Sequence, residues 1–345
     1  MSASSLSLVH CDQATSPAPP SGAVAPPPVT PVRQAVSDVA INDARGAAEK
    51  ALDDGRVDDA VRLAEFVAEH RTDPRAAELL GRTLIALASV RAQQNLPGAA
   101  IAVDEARRRA ADAYRLAAAR DPANAALQDA AAQVIDSAGD LAGAQALYDR
   151  AVELEPLNTT YRLHRGNARL RRGDIEGADQ DVEAMIERPD GWAHALRAQV
   201  RLAQQRTAEA VAAATAARAQ APGDLAFRVL LARALRADGQ PQAAVELLTG
   251  LSPHERTDES VAYELGLAWS AIDRHDKAAE TWAHAYRGTA NKSVRAALEA
   301  GRAFLRAGDR ASAKSWLDIA RLLDADNPGV QELASLIGAA ATTQP

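Results

Sequence analysis

A repeat near 34 residues constrains this chain more than any other feature. Ala60, Ala110, Ala144, Ala178, Ala210, Ala244, Ala278 and Ala313 form a ladder with steps of 50, 34, 34, 32, 34, 34 and 35 residues. Gly55, Gly139, Gly173, Gly239 and Gly308 each stand five residues before a ladder alanine. Pro122, Pro156, Pro189 and Pro222 recur at 34, 33 and 33 residues. Self-similarity at such a period means small units that bury their apolar faces by stacking.

Each unit reads as two helices. Stretches of helical periodicity are broken at the glycine, which permits the positive φ common after a helix end. They are closed by the proline, which cannot continue a helix. The ladder alanine lets the second helix approach the first closely. Bulkier residues follow four positions on, at Tyr114, Tyr148, Val182, Leu248, Trp282 and Leu317. Alanine returns three later at Ala117, Ala151, Ala217, Ala285 and Ala320. Spacings of four and three keep these residues on one helix face. Aromatics at 3% of the chain argue against a sandwich or barrel, so the expected class is all-α.

The pattern resembles the tetratricopeptide repeat, W-x2-L-G-x2-Y followed by A-x3-F, A and P. Its second half stands intact from Ala144 through Tyr148 and Ala151 to Pro156. Its first half is carried by Leu79-Leu80-Gly81-x2-Leu84, Gly166, Leu265-Gly266-x2-Trp269 and Gly301-x2-Phe304. The resemblance covers about residues 41–326. It implies a right-handed α-solenoid of about eight helix-turn-helix repeats, starting near 41, 74, 125, 159, 191, 225, 259 and 294. The repeat starting at 74 carries 17 extra residues, which predicts an overlong hairpin of helices 75–94 and 99–120 around Asn95-Leu96-Pro97-Gly98. A helix over 328–340 is expected to cap the last repeat, within a folded region of 38–340, leaving 341–345 as a tail.

Residues 1–37 differ in composition. Seven of the 17 prolines lie from Pro17 to Pro31, with Asp12 and Arg33 as the charged residues nearby. Such a segment buries too little apolar surface to offset its ordering entropy, so it reads as a disordered tether.

The balance of 39 Lys plus Arg against 46 Asp plus Glu, a net charge of −7, disfavours nucleic acid as the main partner. Cys11 alone cannot form a disulfide framework or a cysteine metal cluster. No apolar run is long enough to span a bilayer, and the start lacks an evident secretory signal, so a cytoplasmic location is expected. No phosphate loop, G-x-S-x-G, H-E-x-x-H or C-x-x-C motif occurs. None of the seven histidines pairs with another at i, i+4 for a metal, and the repeats consume the chain. No catalytic residue, cofactor or metal is therefore expected. Asp53-Asp54 and Asp58-Asp59 read as turn and N-cap residues, and Arg107-Arg108-Arg109 as a solvated helix face.

The resemblance implies a concave groove lined by positions 2, 5, 9, 12 and 13 of the first helices. Mapped here, these include Glu78, Arg82, Asp129, Gln133 and Asp136. They continue through His164, Asn167, Arg171, Trp192 and Gln199. Arg233, Arg236, Tyr263, Arg295, Arg302 and Arg306 complete the set. The arginines and aromatics of the second half suit an acidic peptide. Trp269 and Trp282 fall at core positions, and Trp192 is a candidate groove anchor.

The expected function is a non-catalytic scaffold that binds protein segments. The alternative is an exported or lipid-anchored envelope assembly factor, since Leu8-Val9-His10-Cys11 before a proline-rich stretch loosely resembles a lipoprotein junction.

Overall fold

A computed structural model describes residues 36–94, 99–185, 189–288 and 293–342. The tether over residues 1–35, the turn at 95–98, and residues 343–345 lie outside the described residues. Among those described there are seventeen α-helices, one short 3₁₀ turn at Glu255–Thr257 and no strand.

The helices pair in order. Four hairpins come first: α1 (Asp38–Asp53) with α2 (Val57–His70), α3 (Pro74–Gln94) with α4 (Ala99–Arg120), α5 (Ala125–Ser137) with α6 (Leu141–Leu154), and α7 (Thr159–Arg171) with α8 (Ile175–Ala184). Next come α9 (Gly191–Ala203) with α10 (Thr207–Gln220) and α11 (Leu225–Ala237) with α12 (Pro241–Thr249). The last pairs are α13 (Glu259–Ala271) with α14 (His275–Gly288) and α15 (Val294–Arg306) with α16 (Arg310–Leu323). The closing helix, α17 (Pro328–Thr342), packs on both α15 and α16.

Three boundaries differ from the sequence reading. The first helix begins at Asp38 rather than 41, because Ser37 caps it by accepting a hydrogen bond from the Ala40 amide. Val36 already packs on the cluster of Ile41, Val67 and Ala76, so the folded region includes residue 36. At the other end α17 continues to Thr342, beyond the expected limit of 340. Asp58 and Asp59 are not N-caps: they lie in the first turn of α2, whose N-cap is Arg56. Arg56 instead draws in Asp54 and Asp59 as ion-pair partners.

All eight ladder alanines are fully or almost fully buried. The glycines five residues before them adopt φ between 74° and 92°. Three repeats lack this glycine; in the second Glu105 lies inside the overlong α4, but in the other two Gln205 and Asp273 take the same left-handed conformation at φ 61° and 59°. The stacking therefore imposes the turn whether or not the residue suits it. A second constraint lies within the hairpin. A Cβ at Gly266 would overlap the indole of Trp282, so glycine is what lets that ring pack flat on α13.

First helices of adjacent repeats pack on one another along most of the stack: α5 with α7, then α9, α11, α13 and α15 in turn. Among the described residues no two successive second helices pack to a comparable extent. The stack is thus tighter on its first-helix side, which makes that side the inner wall.

Candidate functional site

The inner wall is where the sequence-predicted residues lie, and the structure divides them into two blocks. In the first, α5 and α7 place Gln133, Asp136, His164, Asn167 and Arg171 around one cavity of about 400 Å³, with Ser137 and Tyr148. Asp129 is buried beside it. His164 Nδ1 donates to Asp129 Oδ2 at 2.8 Å, and Gln133 Nε2 donates to the same oxygen at 2.8 Å. Arg171 pairs with Asp136. Burial pushes the Tyr148 phenol far above its ordinary pKa, and the nearby Asp136 and Asp129 push the same way, so it stays a neutral hydroxyl. Asn167 donates to the Leu163 carbonyl of its own helix at 2.9 Å, which leaves its amide oxygen as an acceptor.

The second block corrects an expectation. The arginines of the C-terminal half do not form a free cationic row. Arg233 Nε donates to Glu264 Oε1 at 2.7 Å, and Arg236 Nη2 reaches Oε2 of the same carboxylate at 3.1 Å. Arg302 is held by Glu299 and Glu332, each at 2.7 Å. The Arg295 guanidinium lies 3.6 Å from the centre of the Tyr263 ring, a cation–π stack. Charge that was expected to await a ligand is largely neutralised within the protein.

Trp192 is 51% exposed and sits edge-on to Phe227 at 4.9 Å between ring centres. It stands between the two blocks, on α9, with Gln199 half-buried on the same helix. Arg82 and Arg306 are exposed. Glu78 lines a separate cavity of about 450 Å³ with Arg45 and Asp73, away from the residues above. Arg109, assigned from sequence to a solvated face, instead reaches Glu65 on α2, while Arg107 and Arg108 are exposed.

Sequence reasoning missed Glu264, Glu332, Ser137 and Tyr148. Tyr148 stands four positions after its ladder alanine on the packed face of α6, a place that by itself predicts no contact with the inner wall. Glu264 follows Tyr263 directly, and the signal that points to it is its spacing of 31 and 28 residues from Arg233 and Arg236, close to one repeat.

A third charged cluster lies on the opposite face of α7. Asp181 is 0% exposed and accepts from Arg165 Nε at 3.1 Å and Arg169 Nη1 at 3.0 Å. Both arginines also reach Asp149 on α6, at 3.0 and 3.2 Å. Burial opposes the charge on Arg165, but its bonds to Asp181 and Asp149 outweigh that and hold its pKa above the ordinary value.

Among the described residues no cluster of His, Cys, Asp or Glu could hold a metal. No helix among them is long and apolar enough to cross a membrane.

Comparison with known proteins agrees with this architecture. The tetratricopeptide-repeat family model matches residues 201–265. A tetratricopeptide repeat protein from Parabacteroides merdae is similar with a TM-score of 0.53 at 16% identity, over 74% of this chain and 98% of that one. PilW, described as a widely conserved type IV pilus biogenesis factor, is similar with a TM-score of 0.55 at 14% identity, over 61% of this chain and 98% of its own. No curated protein matched the sequence. At these identities the solved structures speak to fold alone, whereas the matched residues, running from the end of α9 into α13, fall in register with the alanine ladder. Residues 201–265 thus match the tetratricopeptide-repeat family, and the helical stack as a whole has the fold of tetratricopeptide-repeat proteins.

Proposed function

We propose that this protein is a non-catalytic scaffold whose inner wall holds an extended segment of a protein partner. The observation that carries the reading is the cavity of about 400 Å³ at repeats three and four, lined by first-helix residues of successive repeats. Its carboxylates are already matched, Asp136 by Arg171 and Asp129 by hydrogen bonds from His164 and Gln133. What it offers is mixed donors and acceptors at Gln133, Ser137 and Asn167, a set suited to main-chain amides. Trp192, one repeat further on, supplies an exposed aromatic for an apolar side chain. An acidic segment along the second block would have to compete with Glu264, Glu299 and Glu332 for the arginines, which favours a segment of low net charge.

The test uses the intact protein as bait. Ser137→Trp with Asn167→Ala fills the cavity while removing only two bonds internal to single helices, Ser137 to the Val134 carbonyl in α5 and Asn167 to the Leu163 carbonyl in α7. Partners captured by the unaltered protein and identified by mass spectrometry should be lost with this variant. They should persist with Arg107→Glu and Arg108→Glu on the exposed face of α4. Capture that survives the filled cavity, or that fails only with the α4 variant, would move the site elsewhere. Capture should also weaken little as salt rises, since exposed charge pairs are screened and amide contacts are not.

A further inference from the structure

A second site lies on the other side of the stack, independent of the groove reading. Second helices α2, α6, α10, α14 and α16 each run 14 residues, but α8 has 10 and α12 has 9. A cavity follows each shortened helix. One, of about 390 Å³, is lined by Arg197, Arg201, Glu209 and Ala213; the other, of about 310 Å³, by Leu265, Trp269, Lys277 and Thr281. These are the same four repeat positions, two repeats apart. In the first helix they are positions 7 and 11, which lie about 180° around the helix from the groove-facing position 9.

Elsewhere on this face, cations at positions 7 and 11 are matched by carboxylates from the preceding second helix. Arg165 and Arg169 meet Asp149 of α6. Arg201 meets Asp179 and Glu183 of α8. At repeat seven the arrangement is inverted and incomplete. Because α12 ends at Thr249, the loop that follows brings a cation, Arg256, into the cavity. Its Nε is buried with no hydrogen-bond partner. No carboxylate arrives from α12. Lys277 and His284 add two more basic groups, and the one acidic lining residue among those described, Glu280, is engaged by Lys277 at 2.8 Å. Leu265, Pro253 and Trp269 supply an apolar wall.

We infer that this outer cavity binds a carboxylate attached to an apolar body, the carboxylate meeting Arg256 and the body lying against Trp269. Two sources share that chemistry: the terminal residue of a partner chain and a free apolar carboxylic acid. The cavity's volume admits a group of residue size.

The experiment follows the indole N–H resonance of Trp269, assigned with Trp269→Phe, in the full-length protein. The probes are N-acetyl-leucine, its amide N-acetyl-leucinamide, and a pentapeptide ending in leucine with a free carboxyl terminus. A saturable shift is expected with N-acetyl-leucine, weaker by about tenfold or more with the amide and in Arg256→Gln. The melting temperature of Arg256→Gln should stay close to that of the unaltered protein, because the buried Nε has no hydrogen-bond partner among the described residues to lose. If the pentapeptide binds as tightly as N-acetyl-leucine, the occupant is a chain end; if only N-acetyl-leucine binds, it is a free acid. Equal shifts with acid and amide, no shift with any probe, or undiminished binding by a folded Arg256→Gln would overturn the inference. Ser137→Trp with Asn167→Ala should leave this titration unchanged, so the groove and outer sites can fail separately.

Discussion

Asp181 and Glu264 are both buried carboxylates met by arginines, three at Asp181 and two at Glu264, yet they do different work. Asp181 is 0% exposed, and the side chains of its partners Arg165 and Arg169 are only 13% and 16% exposed. Glu264 is 2% exposed, but Arg233 and Arg236 are 47% and 29% exposed on the inner wall. Water can solvate the arginines of Glu264 if their partner is lost; it reaches those of Asp181 poorly. The first cluster locks α6, α7 and α8 together. The second sets the charge of a surface that a partner can touch.

The largest effect should come from Asp181→Ala, which leaves the shielded Arg165 with Asp149 and the shielded Arg169 with Asp149, Asp174 and the Gly177 carbonyl. Breaking a buried pair in this way costs about 3–5 kcal/mol, read by denaturant unfolding. A loss below about 1 kcal/mol, the scale of exposed pairs, would mean that water enters this cluster freely.

Arg233→Glu should come next. It removes one partner of Glu264 and sets a second carboxylate beside it, a destabilisation of about 2 kcal/mol or more. Combining it with Glu264→Arg should recover much of the loss, and a double-mutant cycle measures the coupling. Full additivity would show that the two side chains do not interact.

Glu264→Gln should cost less, about 1 kcal/mol, because the amide keeps one acceptor and the arginines hydrate. Its cost should shrink further at high salt, whereas that of Asp181→Ala should change little, since screening acts on exposed charge. Equal salt dependence would erase the distinction between the clusters.

The smallest effect calibrates the scale without touching either carboxylate. Gln205→Gly relieves a left-handed residue at φ 61° and should stabilise by roughly 0.5–1 kcal/mol, the left-handed penalty less the entropy glycine adds to the unfolded chain. Asp273→Gly should gain less, because aspartate tolerates that conformation better. A loss at Gln205 would mean that its side chain holds the turn.

The sequence by itself determined the helices, their pairing and the close contacts of the alanine ladder. Those features depend on spacings of three, four and five residues, which helical geometry converts directly into shared faces and turns. It also placed His164, Asn167 and Arg171 on the inner wall, because the repeat position of a residue fixes its direction. Tertiary structure alone decided which charges remained available. Arg233 finds Glu264 across 31 residues and Arg302 finds Glu332 across 30, so each pairing depends on how one repeat stacks on the next. Stacking likewise opened the outer cavity at Trp269. The early end of α12 lets the following loop carry Arg256 to that cavity, and a chain cannot show what its loops bring together until its neighbours are in place.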